Sequence, residues 1–211
     1  MKRREVLVGL GACAAGAVVG ACAEAGGAVP RARPDLYACE GCEAVAERAP
    51  ESMTSRVQLA SATEPGERMV LTGRVLNPRT KAPVAGVIVY AHHTNAQGLY
   101  ANGGRETTWS RRHGRLRGWA RTGQDGGYTF DTIKPAPYPD GSMPAHVHLF
   151  LGEPGRAPYH VDDAVFDGEY GVTAEYRAKQ ELRGGSGILK LSRSPAGVWL
   201  ATRDIVLELH P

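Results

Sequence analysis

"PAPYPDGSMPAHVHLFL", residues 135–151, reads as a rigid turn that runs into a strand. In a strand successive side chains point to opposite faces, so His146 and His148 share one face while Val147 and Leu149 share the other. Their Cα atoms then stand about 6–7 Å apart, within reach of one metal ion. The competing reading is two partly buried histidines hydrogen-bonded to sheet or loop. Tyr138 lies between Pro137 and Pro139, which restrict its backbone and hold a phenol close to the pair. A phenol ordinarily ionises near about pH 10, so near neutral pH it stays a phenolate only on a strong Lewis acid such as ferric iron. Phenolate oxygen with imidazole nitrogen favours Fe(III) over calcium or magnesium; the alternative is a corner tyrosine bonded to backbone.

The strand pattern recurs outward from this stretch. "MVLTGRVL" (69–76), "GVIVYAHH" (86–93), "GWARTG" (118–123), "GYTFDTI" (127–133), "GILKLS" (187–192) and "GVWLATRDIVLEL" (197–209) are separated by Asn-Pro, Asp-Gly-Gly and Gly-Gly-Ser turns. Seven or more short strands predict an all-β fold, a two-sheet β-sandwich. The length of 211 residues, with 27 Gly and 14 Pro, suits one such domain. "GGRETTWSRRHGRLRG" (103–118) has no apolar period and reads as a long basic loop. A net charge of +3 gives no argument for nucleic acid, and no phosphate-cradling loop is present in the sequence.

The first residues, "MKRREVLVGLGACAAGAVVGAC" (1–22), read as an export signal: paired Arg3 and Arg4, then an apolar small-residue run ending at Cys22. The pair resembles a twin-arginine signal and "VGAC" a lipobox, with "LGAC" at Cys13 a weaker rival. An exported, lipid-anchored protein of the cell envelope is expected, touching a membrane only through Cys22. Residues 1–21 are then signal and 22–68 a tether with a short helix in "EAVAERAPESM" (43–53), followed by a sandwich over 69–211. In an oxidising compartment Cys39 and Cys42 are expected to form a local disulfide rather than a redox or metal site.

Three segments carry a family resemblance. "VYAHHTNAQGLYAN" (89–102), "RLRGWARTGQDGGYTFDTIKPAPYP" (115–139) and "PAHVHLFL" (144–151) resemble, in order, the core of the intradiol ring-cleavage dioxygenases, the catechol and protocatechuate enzymes. The resemblance runs from about Leu71 to Phe166 and implies an Fe(III) cofactor held by Tyr100, Tyr138, His146 and His148. It implies a catechol-type substrate opened with O2 to a muconate-type diacid, with Tyr138 both ligand and base. Two phenolates would hold the iron in its ferric state.

The sequence also departs from the family. Met143 stands where the family commonly has an arginine that stabilises developing charge, and Asp163 where a glutamine aligns. A compensating cation is expected from Arg111, Arg112, Arg115 or Arg117, which cluster with His113. Arg117 is the choice, because "LRGW" enters a strand expected near the metal. Trp119 is expected to wall the pocket, against the alternative of a core tryptophan, and His92 and Asp163 to contact substrate. A homo-oligomer is allowed by the sequence. Two other functions compete: an iron-retaining sandwich that binds phenolic or catecholate ligands without turnover, and a metal-free envelope or carbohydrate-binding module.

Overall fold

Along Arg68–Leu76 alternate side chains are buried, with Met69, Leu71 and Val75 turned inward. That period of two belongs to a strand with one face in the core. The computed structural model describes residues 31–104 and 106–211, and eleven strands lie among them. They are β1 (Arg56–Gln58), β2 (Arg68–Leu76), β3 (Ile88–His93), β4 (Arg117–Arg121), β5 (Gly127–Ile133), β6 (His146–Gly152), β7 (Tyr159–Phe166), β8 (Ile188–Leu189), β9 (Ser192–Arg193), β10 (Trp199–Thr202) and β11 (Ile205–Val206). Two short helices, α1 (Thr108–His113) and α2 (Ala174–Ala178), lie between strands. The expected signal, Cys22 and residues 23–30 of the tether lie outside the described residues.

One sheet has the order β1-β5-β2-β10-β9 with β11 also beside β2; the other has the order β4-β3-β6-β7-β8. This is the expected all-β two-sheet sandwich. Leu71 and Phe130 from the first sheet meet Val89, Leu149, Leu151 and Val161 from the second in one core. Each such side chain, fully buried, stabilises the fold by roughly 1.5–3 kcal/mol. No helix among the described residues is long and apolar enough to cross a membrane.

The structure differs from the sequence expectation in several places. "GVWLATRDIVLEL" is split into β10 and β11 at Arg203, whose buried guanidinium donates to the carbonyls of Arg183, Gly184, Gly185 and Asp204. Gly73 admits this crossing, since a Cβ there would lie 1.9 Å from the Arg203 carbonyl oxygen. "YHVDDAVF" forms a strand, β7, despite its two aspartates. The basic loop contains α1, capped by a reciprocal pair in which Thr107 Oγ1 accepts from the Ser110 amide and Ser110 Oγ from the Thr107 amide. "EAVAERAPESM" makes two short 3-10 turns, Cys42–Glu47 and Pro50–Ser52, instead of one helix.

The sandwich also takes in residues ahead of Met69. Leu36 and Leu59 are buried in the main core, and β1 pairs with β5. Cys39 and Cys42 are joined as a disulfide.

Candidate metal centre

The site stands on the outer face of the second sheet. His146, His148 and Phe150 alternate with Val147, Leu149 and Leu151, which fill the core. In register with His148 is His92 on β3, and in register with His92 is Arg117 on β4. A bulge on β7 completes the row: Ala164 pairs with Val147 and Val161 with Leu149, so Asp162 and Asp163 both oppose His148. Such an irregularity re-aims a side chain. Asp163 Oδ1 thereby reaches His148 Nδ1 at 2.9 Å.

The two tyrosines arrive on loops that lock together. In the turn after β3 the Asn95 side chain accepts from the amides of Gln97 and Leu99, which tightens the chain toward Tyr100. Gly98 has φ +77, and a Cβ on it would stand 2.1 Å from the carbonyl oxygen of Pro137. Only glycine permits that approach. Thr94 Oγ1 donates to the Ala136 carbonyl at 2.7 Å, so the loop of Tyr100 presses directly on the loop of Tyr138. The latter is closed by the Tyr138 amide donating to Met143 O and the Gly141 amide to Tyr138 O.

Four polar atoms converge as a result. Tyr100 Oη lies 2.8 Å from Tyr138 Oη and 2.9 Å from His148 Nε2, and the Nε2 atoms of His146 and His148 are 3.0 Å apart. Metal bonds of about 2.0–2.1 Å to nitrogen and oxygen put neighbouring ligands of one ion about 3 Å apart, which these spacings match. The tautomers match as well. His146 Nδ1 faces the Pro144 carbonyl at 2.7 Å and His148 Nδ1 faces a carboxylate, both acceptors only, so in the neutral rings both Nδ1 atoms carry the proton. Both Nε2 lone pairs are then aimed at each other, an arrangement that a shared cation resolves.

His146, His148 and Asp163 also form a group whose ligand atoms lie within 4.8 Å of one another. The carboxylate sits at the far nitrogen of His148, away from both phenols. Its geometry is that of a partner that orients a ligating histidine.

Electrostatics in the cluster follow from burial. Desolvation, then the neighbouring Tyr138 hydroxyl, push the Tyr100 phenol well above the ordinary tyrosine range. Desolvation and then His148 lower His146, keeping the ring neutral and ready to ligate. Burial works to raise the Asp163 carboxyl, but the charge and hydrogen bond of His148, with His146 and His160, bring it below its ordinary value. A cavity of about 460 Å³ opens over the cluster, lined by Tyr100, Tyr138, His148 and Asp163 and by His92, His113, Phe150, His160, Arg112 and Glu40.

A family model described as a dioxygenase matches residues 40–174, nearly two thirds of the chain. The chain belongs to the intradiol ring-cleavage dioxygenase family. Among curated relatives this family member is similar to catechol 1,2-dioxygenase 1 of Acinetobacter lwoffii, 36% identical over 96 residues that cover 44% of this chain and 30% of the relative. It is also similar to hydroxyquinol 1,2-dioxygenase of Rhizobium sp. (strain MTP-10005), 28% identical over 171 residues, 67% of this chain and 55% of the relative. The chain thus spans between about a third and about half of these relatives. Among solved structures, the dioxygenase domain of a dioxygenase carbohydrate-binding protein fusion from Streptomyces sp. SirexAA-E superposes with TM-score 0.54 at 25% identity, covering 75% of this chain and 90% of that one. Catechol 1,2-dioxygenase from Pseudomonas arvilla C-1 shares the fold with TM-score 0.54 at 22% identity, over 74% of this chain and 57% of that one.

Within this dioxygenase-family chain, Tyr100, Tyr138, His146, His148, His92 and Asp163 come together, whereas Arg117 and Trp119 do not reach the cavity. Arg117 is in the same sheet but two strands from His148, and its guanidinium is held by Glu47, by Thr107 Oγ1 at 3.1 Å and by Tyr90 Oη at 3.4 Å. Trp119 is buried with Tyr90, Phe150, Cys42, Ala44 and Val45, and its Nε1 donates to the Ala44 carbonyl at 2.8 Å. Sequence reasoning missed Glu40 and His160, and it left Arg112 and His113 among a basic cluster. His113 stacks on His92 with centroids 3.9 Å apart and planes at 1°, and its Nδ1 is 2.8 Å from Tyr90 Oη. Desolvation is the first cause that lowers His113 to about 4, so it is a neutral wall rather than a cation.

Proposed function

We propose that this chain is a non-haem Fe(III) intradiol dioxygenase that opens a catechol-type ring with O2 and releases a muconate-type diacid. The observation that carries the reading is the convergence of two phenol oxygens and two imidazole nitrogens of fixed tautomer within 2.8–3.0 Å of their neighbours. The names of the curated relatives, a catechol and a hydroxyquinol 1,2-dioxygenase, support the substrate class. Tyr100, Tyr138, His146 and His148 would hold the iron. When bound, ferric iron supplies the Lewis acidity that keeps buried phenols ionised and draws a deprotonated catechol into the site, where the electron-rich ring reacts with O2.

The chain's own residues supply the rest. Tyr138 Oη, which lines the cavity, takes up a substrate hydroxyl proton. Asp163 holds His148 in the ligating tautomer, and His146 is held by the Pro144 carbonyl. His92 and Phe150, both almost wholly buried, add aromatic edges to the cavity wall beside the cluster. The Cys39–Cys42 disulfide supports an extracytoplasmic setting, and we extend the proposal to an exported, lipid-anchored protein, testable by mass spectrometry of the mature N-terminus.

A second reading, binding of phenolics without turnover, is favoured by Met143 at the family's arginine position and by the engagement of Arg117 elsewhere. Oxygen uptake with a panel of catechols decides between the two. The proposal expects uptake with an intradiol product; extradiol products, or binding with no uptake, would overturn it.

A further inference from the structure

The metal chemistry leaves the Cys39–Cys42 turn unused, yet of the two residues inside that turn Glu40 lines the cavity and Gly41 abuts His113, which lines it too. Gly41, at φ +88, presses on the edge of His113: a Cβ there would stand 3.0 Å from Nε2. His113 stacks on His92, whose ring centroid is 4.4 Å from that of His148. A line of contact therefore runs from the disulfide to the candidate ligands. Glu40 lines the cavity mouth and forms an ion pair with Arg112.

The turn is firmly seated. Cys42, Ala44 and Val45 are buried with Tyr90, Trp119 and Phe150, and Glu47 takes both the Arg117 guanidinium and the Thr107 hydroxyl. Glu40 is thus presented to Arg112 from a fixed platform closed by a covalent bond.

The pair itself adds little to stability, because its side chains are 79% and 52% exposed. Its effect is on charge. Arg112 is the one guanidinium lining the cavity among the described residues, and with Met143 at the family's arginine position it is the nearest replacement. Glu40 occupies it. A ring that carried its own carboxylate would meet the Glu40 carboxylate at the mouth and that of Asp163 deeper in, with no unpaired guanidinium to receive it. An uncharged ring meets no such penalty.

We propose that the disulfide-closed turn Cys39–Cys42 is a specificity-determining wall of this cavity, and that Glu40, by occupying Arg112, turns the site toward uncharged catechols and against ring carboxylates. This rests on the ring-cleaving function proposed above. The test uses the iron-loaded protein with dioxygen excluded, so that no turnover occurs, and isothermal titration with catechol and with 3,4-dihydroxybenzoate.

Wild type is expected to prefer catechol. In Glu40→Gln the preference should shrink by about three- to tenfold, mainly through tighter binding of the carboxylate, and the shift should diminish in high salt. Cys39→Ser/Cys42→Ser should move the ratio the same way, with iron content and circular dichroism confirming that the variant is folded. Catechol binding with an unchanged ratio in Glu40→Gln would overturn this inference alone. Failure of the wild type to bind either ligand would overturn the proposed function and this inference with it.

Discussion

Replacing Asp163 separates an orienting carboxylate from a ligating one. Its Oδ1 lies 2.9 Å from His148 Nδ1, with the two side chains 24% and 25% exposed, a charge-assisted hydrogen bond largely shielded from water. Such a bond is worth about 1.5–3 kcal/mol, equivalent to about 10- to 150-fold in a binding constant. Losing an outer partner of a ligating histidine typically costs about 10- to 100-fold in metal affinity, in agreement. Asp163→Ala should therefore weaken iron binding about 10- to 100-fold while still saturating at one iron per chain. Asp163→Asn keeps a neutral acceptor, and a loss of about tenfold or less is expected. Competition titration of the metal-free protein against a calibrated chelator gives the affinities, and endpoint metal analysis gives the stoichiometry. Unchanged affinity in Asp163→Ala would refute the argument that this carboxylate fixes the tautomer. Complete loss of saturable iron in both variants would show that Asp163 is itself a ligand.

Two further outcomes follow from the fold. Burial lowers His93 to about 4, below the roughly 6.5 of an exposed imidazole, so the unfolded chain binds more protons between these values. Its contribution is complete above about pH 6.5 and is lost as pH falls toward 4. Urea unfolding of the metal-free protein at pH 4.5 against pH 7 should show a loss on the order of 2–3 kcal/mol through this group, and His93→Gln should shrink the drop correspondingly. An equal drop in the variant would contradict the assignment. Gly73→Ala places a methyl 1.9 Å from the Arg203 carbonyl oxygen and should destabilise by about 3 kcal/mol, read as a fall in thermal midpoint; an unchanged midpoint would mean that the β2 crossing is not tight.

How much was legible in the sequence depended on where each signal lay. In "AHVHLFL" alternation alone placed two imidazoles on one face, because a strand's period is a local property. "NAQGLYAN" carried its own turn chemistry, although the need for Gly98 comes from Pro137, on a loop nearly forty residues away. β7 was hidden because its aspartates break the apolar pattern. Their partners are distant: the amides of Leu182 and Arg183 for Asp162, and His148 for Asp163. Tertiary contacts there override local propensity.

α1 has six residues, too few for an apolar period, so the stretch read as loop, and the Thr107–Ser110 cap and the end at Gly114 emerge only in the structure. Arg117 does enter a strand of the sheet that carries the histidine pair, but it lies two strands away from the candidate metal cluster and beside Glu47, a neighbour supplied by a segment that read as a tether. The same segment brought Glu40 to the cavity mouth. No spacing in the sequence links residues 40 and 112; only the packing of the 3-10 turn on Trp119 and Phe150 does so.

The measurement closest to the central claim is metal analysis of the untreated purified protein together with its visible spectrum. One iron per chain is predicted, with a phenolate-to-iron absorption band that Tyr100→Phe and Tyr138→Phe each weaken or abolish. A protein that binds no iron after reconstitution, or binds it with no visible band or with a band indifferent to both substitutions, would contradict it.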